Sequence, residues 1–224
     1  LVRLVPYLSF LKENPQVMIF MGYHHPFLSL LGISQDRVIT SNRVRGKLVY
    51  MPAGGGCGNS PVFSTQVLSD VLRRQSITPF RDTFILIERK QAAKKTKNRS
   101  FKYHDQILAA LQNVATAAGF RVEVFSDDPL PSLNQTIDMF TRAVLVVSPH
   151  GAGGANMLFA QPGTVLIEAL HPGPSLHPNL CFASLAQTLG LRYHGVFKNS
   201  GVIECTEDDL MPSVRFFVRN LSRL

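Results

Sequence analysis

The feature that most constrains the fold is a regular alternation of short apolar runs and helix-like segments between residues 83 and 197. The apolar runs predict strands at 83–87, 121–125, 144–147, 165–169 and 191–196. Helical periodicity predicts helices between them, at 103–118, 133–141, 152–160 and 178–189. Alternation of this kind is typical of an α/β fold, in which a parallel sheet carries helices on both faces.

A glycine-rich turn, Ser-Pro-His-Gly-Ala-Gly-Gly-Ala-Asn at 148–156, lies between a predicted strand and a predicted helix. Such a turn lets the backbone approach a ligand closely and points N–H groups at an anion. The helix end contributes only about 0.3–1 kcal/mol when exposed, so side chains must supply the rest. His150 and Asn156 are placed to do so. The glycines alone are equally consistent with a tight turn that binds no ligand.

Two further polar segments, 88–90 and 168–171, also follow predicted strands. Ligands of open parallel sheets bind beyond the carboxyl ends of the strands, so we expect these segments to share one rim with the glycine-rich turn. Arg89 offers a phosphate a bidentate fork worth about 1.5–3 kcal/mol, although it also fits a surface arginine. Glu168 suits the two hydroxyls of a ribose, or else a salt bridge to Arg or Lys.

The net charge of +8 is concentrated in a basic run between residues 89 and 102. No aromatic ladder or helix-turn-helix pattern accompanies this run, so we expect no nucleic-acid partner. A phosphorylated small molecule is the better anionic partner. Arg99 opens the helix that follows the run, and on its own it is indistinguishable from a surface arginine.

The sequence gives little support for a metal site. Cys57, Cys181 and Cys205 are too few and too scattered for a zinc site or a disulfide framework, which leaves either one disulfide or three buried thiols. The acidic pairs 127–128 and 208–209 lie in a loop and at a helix start, and the second pair suits the helix dipole. We therefore expect no metal and no other cofactor.

The first part of the chain is less regular and resembles the tail of a second α/β domain. We predict an incomplete N-terminal domain at 1–75, a second α/β domain at 76–205 and a C-terminal helix at 206–224. The helix carries an apolar stripe that must be covered: Leu210, Val214, Phe217 and Leu221. No apolar run approaches the ~18 residues that span a bilayer. Because the sequence opens inside an apolar pattern, we expect a fragment whose missing N-terminal part holds any membrane anchor.

These motifs together resemble glycosyltransferase family 61, which includes β-1,2-xylosyltransferases, xylan arabinosyltransferases and extracellular O-linked N-acetylglucosamine transferases. The family's donor domain carries, in order, two arginines, His-Gly-Ala-Gly-Leu-Thr-Asn, Phe, Pro-Gly and Glu. The corresponding positions here are Arg89, Arg99, 150–156, Phe159, Pro162-Gly163 and Glu168. The segment Pro-Ala-Gly-Gly-Gly-Cys-Gly at 52–58 also resembles the family. Gly154 and Ala155 replace the usual Leu-Thr, and Tyr103 stands where an Asn is expected.

The resemblance implies a GT-B fold, in which two Rossmann-like domains face a cleft and the C-terminal domain, here 76–205, binds a nucleotide-sugar donor. It also implies that the C-terminal helix at 206–224 returns to the first domain. It implies transfer of xylose, arabinose or N-acetylglucosamine, from a UDP-sugar to a glycan or glycoprotein, with inversion and without a metal. It also implies residence in the lumen of the Golgi or endoplasmic reticulum. The implied donor-binding residues are Arg89, Arg99, His150, Gly151, Ala152, Gly153, Gly154, Asn156 and Glu168.

Two questions stay open at the level of sequence. An inverting transferase needs a base for the acceptor hydroxyl, and His24 and His25 are the visible candidates, but neither can be assigned. The alternative function is a non-catalytic nucleotide-sugar-binding protein of the same fold. An unrelated dinucleotide enzyme is disfavoured because no Gly-x-Gly-x-x-Gly follows an early strand.

Overall fold

The computed structural model describes residues 2–21, 25–51, 62–74, 80–90, 100–170, 178–198 and 204–221. Predictions that concern His24, the segment 52–58 and Arg99 lie outside these residues.

The described helices and strands are as follows. The helices are α1 (Leu8–Glu13), α2 (Phe27–Leu30), α3 (Val62–Arg73), α4 (His104–Ala117), α5 (Leu133–Thr141), α6 (Cys181–Leu189) and α7 (Glu207–Arg219). The strands are β1 (Ile19–Phe20), β2 (Val38–Ile39), β3 (Thr83–Glu88), β4 (Arg121–Ser126), β5 (Ala143–Pro149), β6 (Val165–Leu170) and β7 (Arg192–Phe197). Turns of 3-10 helix cover Val2–Tyr7, Gln35–Arg37 and Ala152–Phe159, and the last of these is called the loop helix below.

Five strands form one sheet in the order β4-β3-β5-β6-β7, and every neighbouring pair is parallel. Each of these strands lies within two residues of its predicted bounds, which confirms the α/β prediction. The central strand β5 is buried along its whole length, as expected for a strand covered on both faces. The segment predicted as a helix at 152–160 is a 3-10 helix, a form common in short connecting segments.

The two faces of the sheet carry different helices. Alternate side chains of a strand point to opposite faces. On one face Ile85 and Val146 share an apolar core with α5, the loop helix and α6. On the other face Phe84 and Leu145 share a core with α4 and α7.

The prediction that the C-terminal helix packs on the first domain is wrong. Its buried residues Leu210, Met211 and Val214 lie in the core with Phe84 and Ile167, and α7 contacts α4, β6 and β7. The cause lies in the strand order. Because crossovers are right-handed, the connections β4–β5, β5–β6 and β6–β7 all lie on one face of the sheet. The opposite face receives only α4 and needs a further helix to cover it.

The region before β3 also contributes to the first of these cores. Leu68 and Leu72 of α3 are almost fully buried in the core that contains Ile85. The hydroxyl of Ser69 donates to the Leu158 carbonyl at 2.6 Å and thereby fixes α3 on the loop helix. Strands β1 and β2 form a separate parallel pair. The domain boundary near residue 75 stays a prediction. Among the described residues, no helix is both long enough and apolar enough to cross a bilayer.

Candidate functional site

The carboxyl edge of the sheet brings together three of the predicted donor-binding side chains. Arg89 directly follows β3, His150 directly follows β5, and Glu168 lies near the end of β6. One guanidinium nitrogen of Arg89, Nη1, donates to the His150 carbonyl at 3.0 Å. The shared rim expected from parallel strands is therefore present for these segments.

The glycines of the turn are explained by close approaches of neighbouring side chains. A Cβ on Gly151 would lie 2.1 Å from Nη1 of Arg89, and one on Gly153 would lie 2.8 Å from Cγ2 of Ile87. A Cβ on Gly154 would lie 3.0 Å from the ring of Phe182. Real Cβ atoms do not approach other atoms as closely as the first two distances. The turn is thus packed on three sides, and Arg89 lies flat against its backbone.

The start of the loop helix leaves backbone donors available. The N–H of Gly154 donates to the Gly151 carbonyl at 2.9 Å. In the described part of the chain, the N–H groups of Ala152 and Gly153 have no backbone acceptor, as expected for the first residues of a helix. The half-buried amide of Asn156 likewise has no hydrogen-bond partner among those residues. An anion at the start of the loop helix would therefore meet the N–H groups of Ala152 and Gly153.

His150 and Glu168 form a buried pair, and Tyr193, which the sequence analysis did not single out, is bonded to it. Nδ1 of His150 lies 2.6 Å from Oε1 of Glu168, and the side chains of the two residues are 10% and 1% exposed. The Tyr193 hydroxyl donates to Oε2 of Glu168 at 2.7 Å. Burial, together with the hydrogen bond to Glu168, raises the pKa of the Tyr193 phenol. These three residues are called the His150 triad below.

The triad changes the interpretation of Glu168. Both of its carboxylate oxygens are bonded to protein, and the residue is 1% exposed, so a contact with ribose hydroxyls is not what this geometry favours. The salt bridge to Arg or Lys that the sequence left open is not found among the described residues, where the partner of this carboxylate is His150 instead. One signal in the sequence pointed towards Tyr193. A glycine within a strand, here Gly195, often marks a close approach.

The remaining candidates lie elsewhere or are already bonded. Nδ1 of His25 accepts from the Phe27 N–H at 3.3 Å, and burial lowers the pKa of the His25 imidazole. Burial works against ionisation of Asp209, but hydrogen bonds from Lys198 and Thr206 outweigh it and lower the pKa of that carboxyl.

The described cysteines are separate thiols. Cys181 is half-buried and Cys205 is buried, and neither is in a disulfide. Cys57 lies outside the described residues. Over the part of the chain that the structure describes, His, Cys, Asp and Glu side chains do not gather in groups of three or more that could hold a metal ion.

Comparison with known proteins gives one assignment. The family model described as Glycosyltransferase 61 matches residues 8–167, well over half of the chain. The matched range contains Arg89, Arg99 and the glycine-rich turn, and it ends one residue before Glu168. Comparison with curated proteins gives no match. The resemblance inferred from the motifs is thereby confirmed at the level of the family, and the chain belongs to glycosyltransferase family 61.

Proposed function

We propose that this chain binds a UDP-sugar at the carboxyl edge of the five-stranded sheet and transfers its sugar, with inversion, to a glycan or glycoprotein. The observation that carries the proposal is the meeting of Arg89 with the start of the loop helix. The guanidinium of Arg89 lies against Gly151, next to the N–H groups of Ala152 and Gly153, where β3 and β5 end. A diphosphate is the ligand that suits this set of donors.

The proposed reaction is a single in-line displacement. The acceptor oxygen attacks the anomeric carbon and its proton passes to a base, while the bond from that carbon to the phosphate oxygen breaks with its electron pair. Negative charge therefore develops on the departing diphosphate. Arg89 and the N–H groups of Ala152 and Gly153 would stabilise that charge through preorganised donors. We assign no residue as the base.

The same donors are the reason to propose that no divalent metal is needed. A guanidinium cation and helix N–H groups supply positive charge at the place where a metal would otherwise neutralise the diphosphate. The acidic pair at 208–209 does not suit this role. Asp209 is bonded to Lys198 and to the start of α7.

The wider setting is proposed from the family. We propose a GT-B arrangement in which residues 1–75 belong to the acceptor-side domain and the sheet domain binds the donor. The sugar belongs to the xylose, arabinose or N-acetylglucosamine class. We further propose that the protein works in the lumen of the Golgi or endoplasmic reticulum. Asn134 of a glycosylation sequon lies exposed at the start of α5, which is compatible with that compartment.

The deciding experiment is titration calorimetry with UDP on the parent chain and on Arg89→Ala. We expect Kd to rise about 10-fold to 100-fold in the variant, because a charge-assisted hydrogen bond contributes ~1.5–3 kcal/mol. Arg215→Ala is the matched control, since this arginine is exposed on α7, away from the ends of β3 and β5 in the sequence. Equal affinity of Arg89→Ala and parent would remove Arg89 from the site.

Turnover then separates the enzyme from the alternative, a non-catalytic nucleotide-sugar-binding protein. A panel of UDP-sugars is first ranked by thermal shift, where a ligand at 100-fold its Kd adds about 2.7 kcal/mol of stability. The best donor is next incubated with glycan acceptors. Release of UDP that depends on the acceptor supports transfer, whereas tight binding without release supports the alternative.

A further inference from the structure

Tyr193 and Glu168 meet because of the local geometry of two neighbouring strands. Glu168 of β6 is paired with Gly195 of β7, and Tyr193 lies two residues before Gly195 on the same face. A Cβ on Gly195 would lie 3.3 Å from the Tyr193 hydroxyl and 2.8 Å from Cδ1 of Leu170. Because glycine stands there, the tyrosine ring has room to lean along the strand and reach the carboxylate.

The direction of each hydrogen bond in the His150 triad follows from the chemistry of its members. The Tyr193 phenol keeps its proton, since its pKa is raised, and it therefore donates to Oε2 of Glu168. An ionised carboxylate only accepts hydrogen bonds. Oε1 of Glu168 then accepts from Nδ1–H of His150 at 2.6 Å. The proton of a neutral His150 ring is thus held on Nδ1.

We propose that Glu168 and Tyr193 are positioning residues that fix His150 as the Nδ1–H tautomer, so that Nε2 makes any bond between this ring and the donor. The inference rests on the proposed function, because it names the role of two side chains at the same nucleotide-sugar site. His150 follows β5 directly, and its carbonyl also accepts from Arg89. Arg89 and His150 are therefore directly bonded to each other at the sheet edge.

Burial makes a purely structural role a poor explanation for Glu168. A buried carboxylate is costly unless it is paired and fully hydrogen-bonded, and an apolar side chain of similar size is often as stable in its place. Here the carboxylate is completely enclosed, and each oxygen meets one polar partner. A carboxylate that is hydrogen-bonded to one ring nitrogen of a histidine orients the ring and sets its tautomer.

The experiment measures the tautomer directly in the intact chain. Long-range proton–nitrogen correlation spectra distinguish Nδ1–H from Nε2–H rings, and His150→Gln assigns the signal of His150. We expect the Nδ1–H form in the parent. Glu168→Gln keeps the shape, but its amide can either accept from Nδ1–H or donate to Nδ1. Both tautomers should therefore appear in Glu168→Gln.

Binding is measured on the same samples with UDP. Tyr193→Phe removes only the hydroxyl that holds Glu168, and we expect Kd to rise about 5-fold to 10-fold, the effect of one buried hydrogen bond. Tyr7→Phe is the matched control, because Tyr7 is 37% exposed and lies in the N-terminal 3-10 helix. Its affinity should equal that of the parent.

The outcomes separate this inference from the proposed function. An Nε2–H tautomer in the parent overturns the inference, and so do unchanged tautomer and affinity in Glu168→Gln and Tyr193→Phe. Lower melting temperatures with unchanged affinity would mean a structural role and would also overturn it. If the parent binds no UDP, the proposed function fails, while the tautomer measurement still decides whether the triad positions the ring.

Discussion

Replacing Gly151 with alanine tests whether this glycine exists to let Arg89 lie against the turn. The new Cβ would sit 2.1 Å from Nη1 and 2.4 Å from Cζ of Arg89, so the guanidinium must leave. Its departure breaks the 3.0 Å bond to the His150 carbonyl. We expect the free energy of unfolding to fall by about 1–3 kcal/mol, the usual cost of overpacking. The Kd for UDP should rise about 10-fold to 100-fold, because the fork no longer faces the diphosphate.

A double-mutant cycle with Arg89→Ala is the appropriate assay. In the double variant the new Cβ meets no guanidinium, so its stability and its Kd for UDP should match those of Arg89→Ala alone. Interaction between the two changes appears as a failure of additivity. Gly119→Ala is the control. A Cβ there meets nothing within 4 Å, yet the φ of 78° makes alanine strained, so stability should fall while UDP affinity is kept. The reasoning would be refuted if the losses of stability and of UDP affinity were additive in the cycle, or if Gly151→Ala bound UDP as tightly as the parent.

Three other predictions concern the last helix and the metal. Leu210→Ala should lower the free energy of unfolding by about 2–5 kcal/mol in chemical denaturation, because the side chain is fully buried against the sheet. Phe216 is 61% exposed on the same helix, so Phe216→Ala should lower that free energy far less. Equal losses of stability in the two variants would contradict the observed packing. EDTA should leave sugar transfer largely unchanged, and loss of activity that Mn²⁺ restores would overturn the metal-free proposal. Asp209→Asn should lower the melting temperature at pH 7, because the folded pKa of Asp209 is depressed by Lys198 and Thr206. A carboxyl whose pKa is lower in the folded state stabilises the fold above the unfolded pKa of about 3.9, and this stabilisation disappears as the pH falls through the folded pKa. The melting temperatures of the parent and the variant should therefore converge in acid. A difference that persists in acid would assign the effect to packing.

Local pattern predicted the sheet well, because each strand from β3 to β7 has its own apolar run and its own helix. It also placed Arg89 and His150 at one edge, since the carboxyl ends of parallel strands lie together. Sequence could not predict that Glu168 would turn away from solvent towards His150 and Tyr193. That choice depends on the pairing of Glu168 with Gly195 across the strands. The glycine in the strand indicates a close approach, but local pattern does not tell which side chains make it.

The error about α7 has a different origin. The apolar stripe was recognised correctly, but its partner was chosen from the family resemblance. The strand order and the handedness of the crossovers already leave one face of the sheet short of a helix. A prediction that counts helices on each face, rather than in total, would have placed Leu210 and Val214 against Phe84.

The late position of α7 in the chain has a consequence for biosynthesis. A nascent chain emerges from the ribosome in sequence order, so β3 to β7 are complete before residues 207–219 appear. Until then Phe84, Val147 and Ile167 have α4 as their main cover, and part of that apolar face remains open to water. Exposed apolar surface of this kind recruits chaperones and promotes aggregation. The sheet that carries the proposed donor site therefore cannot finish folding during translation until α7 has been made.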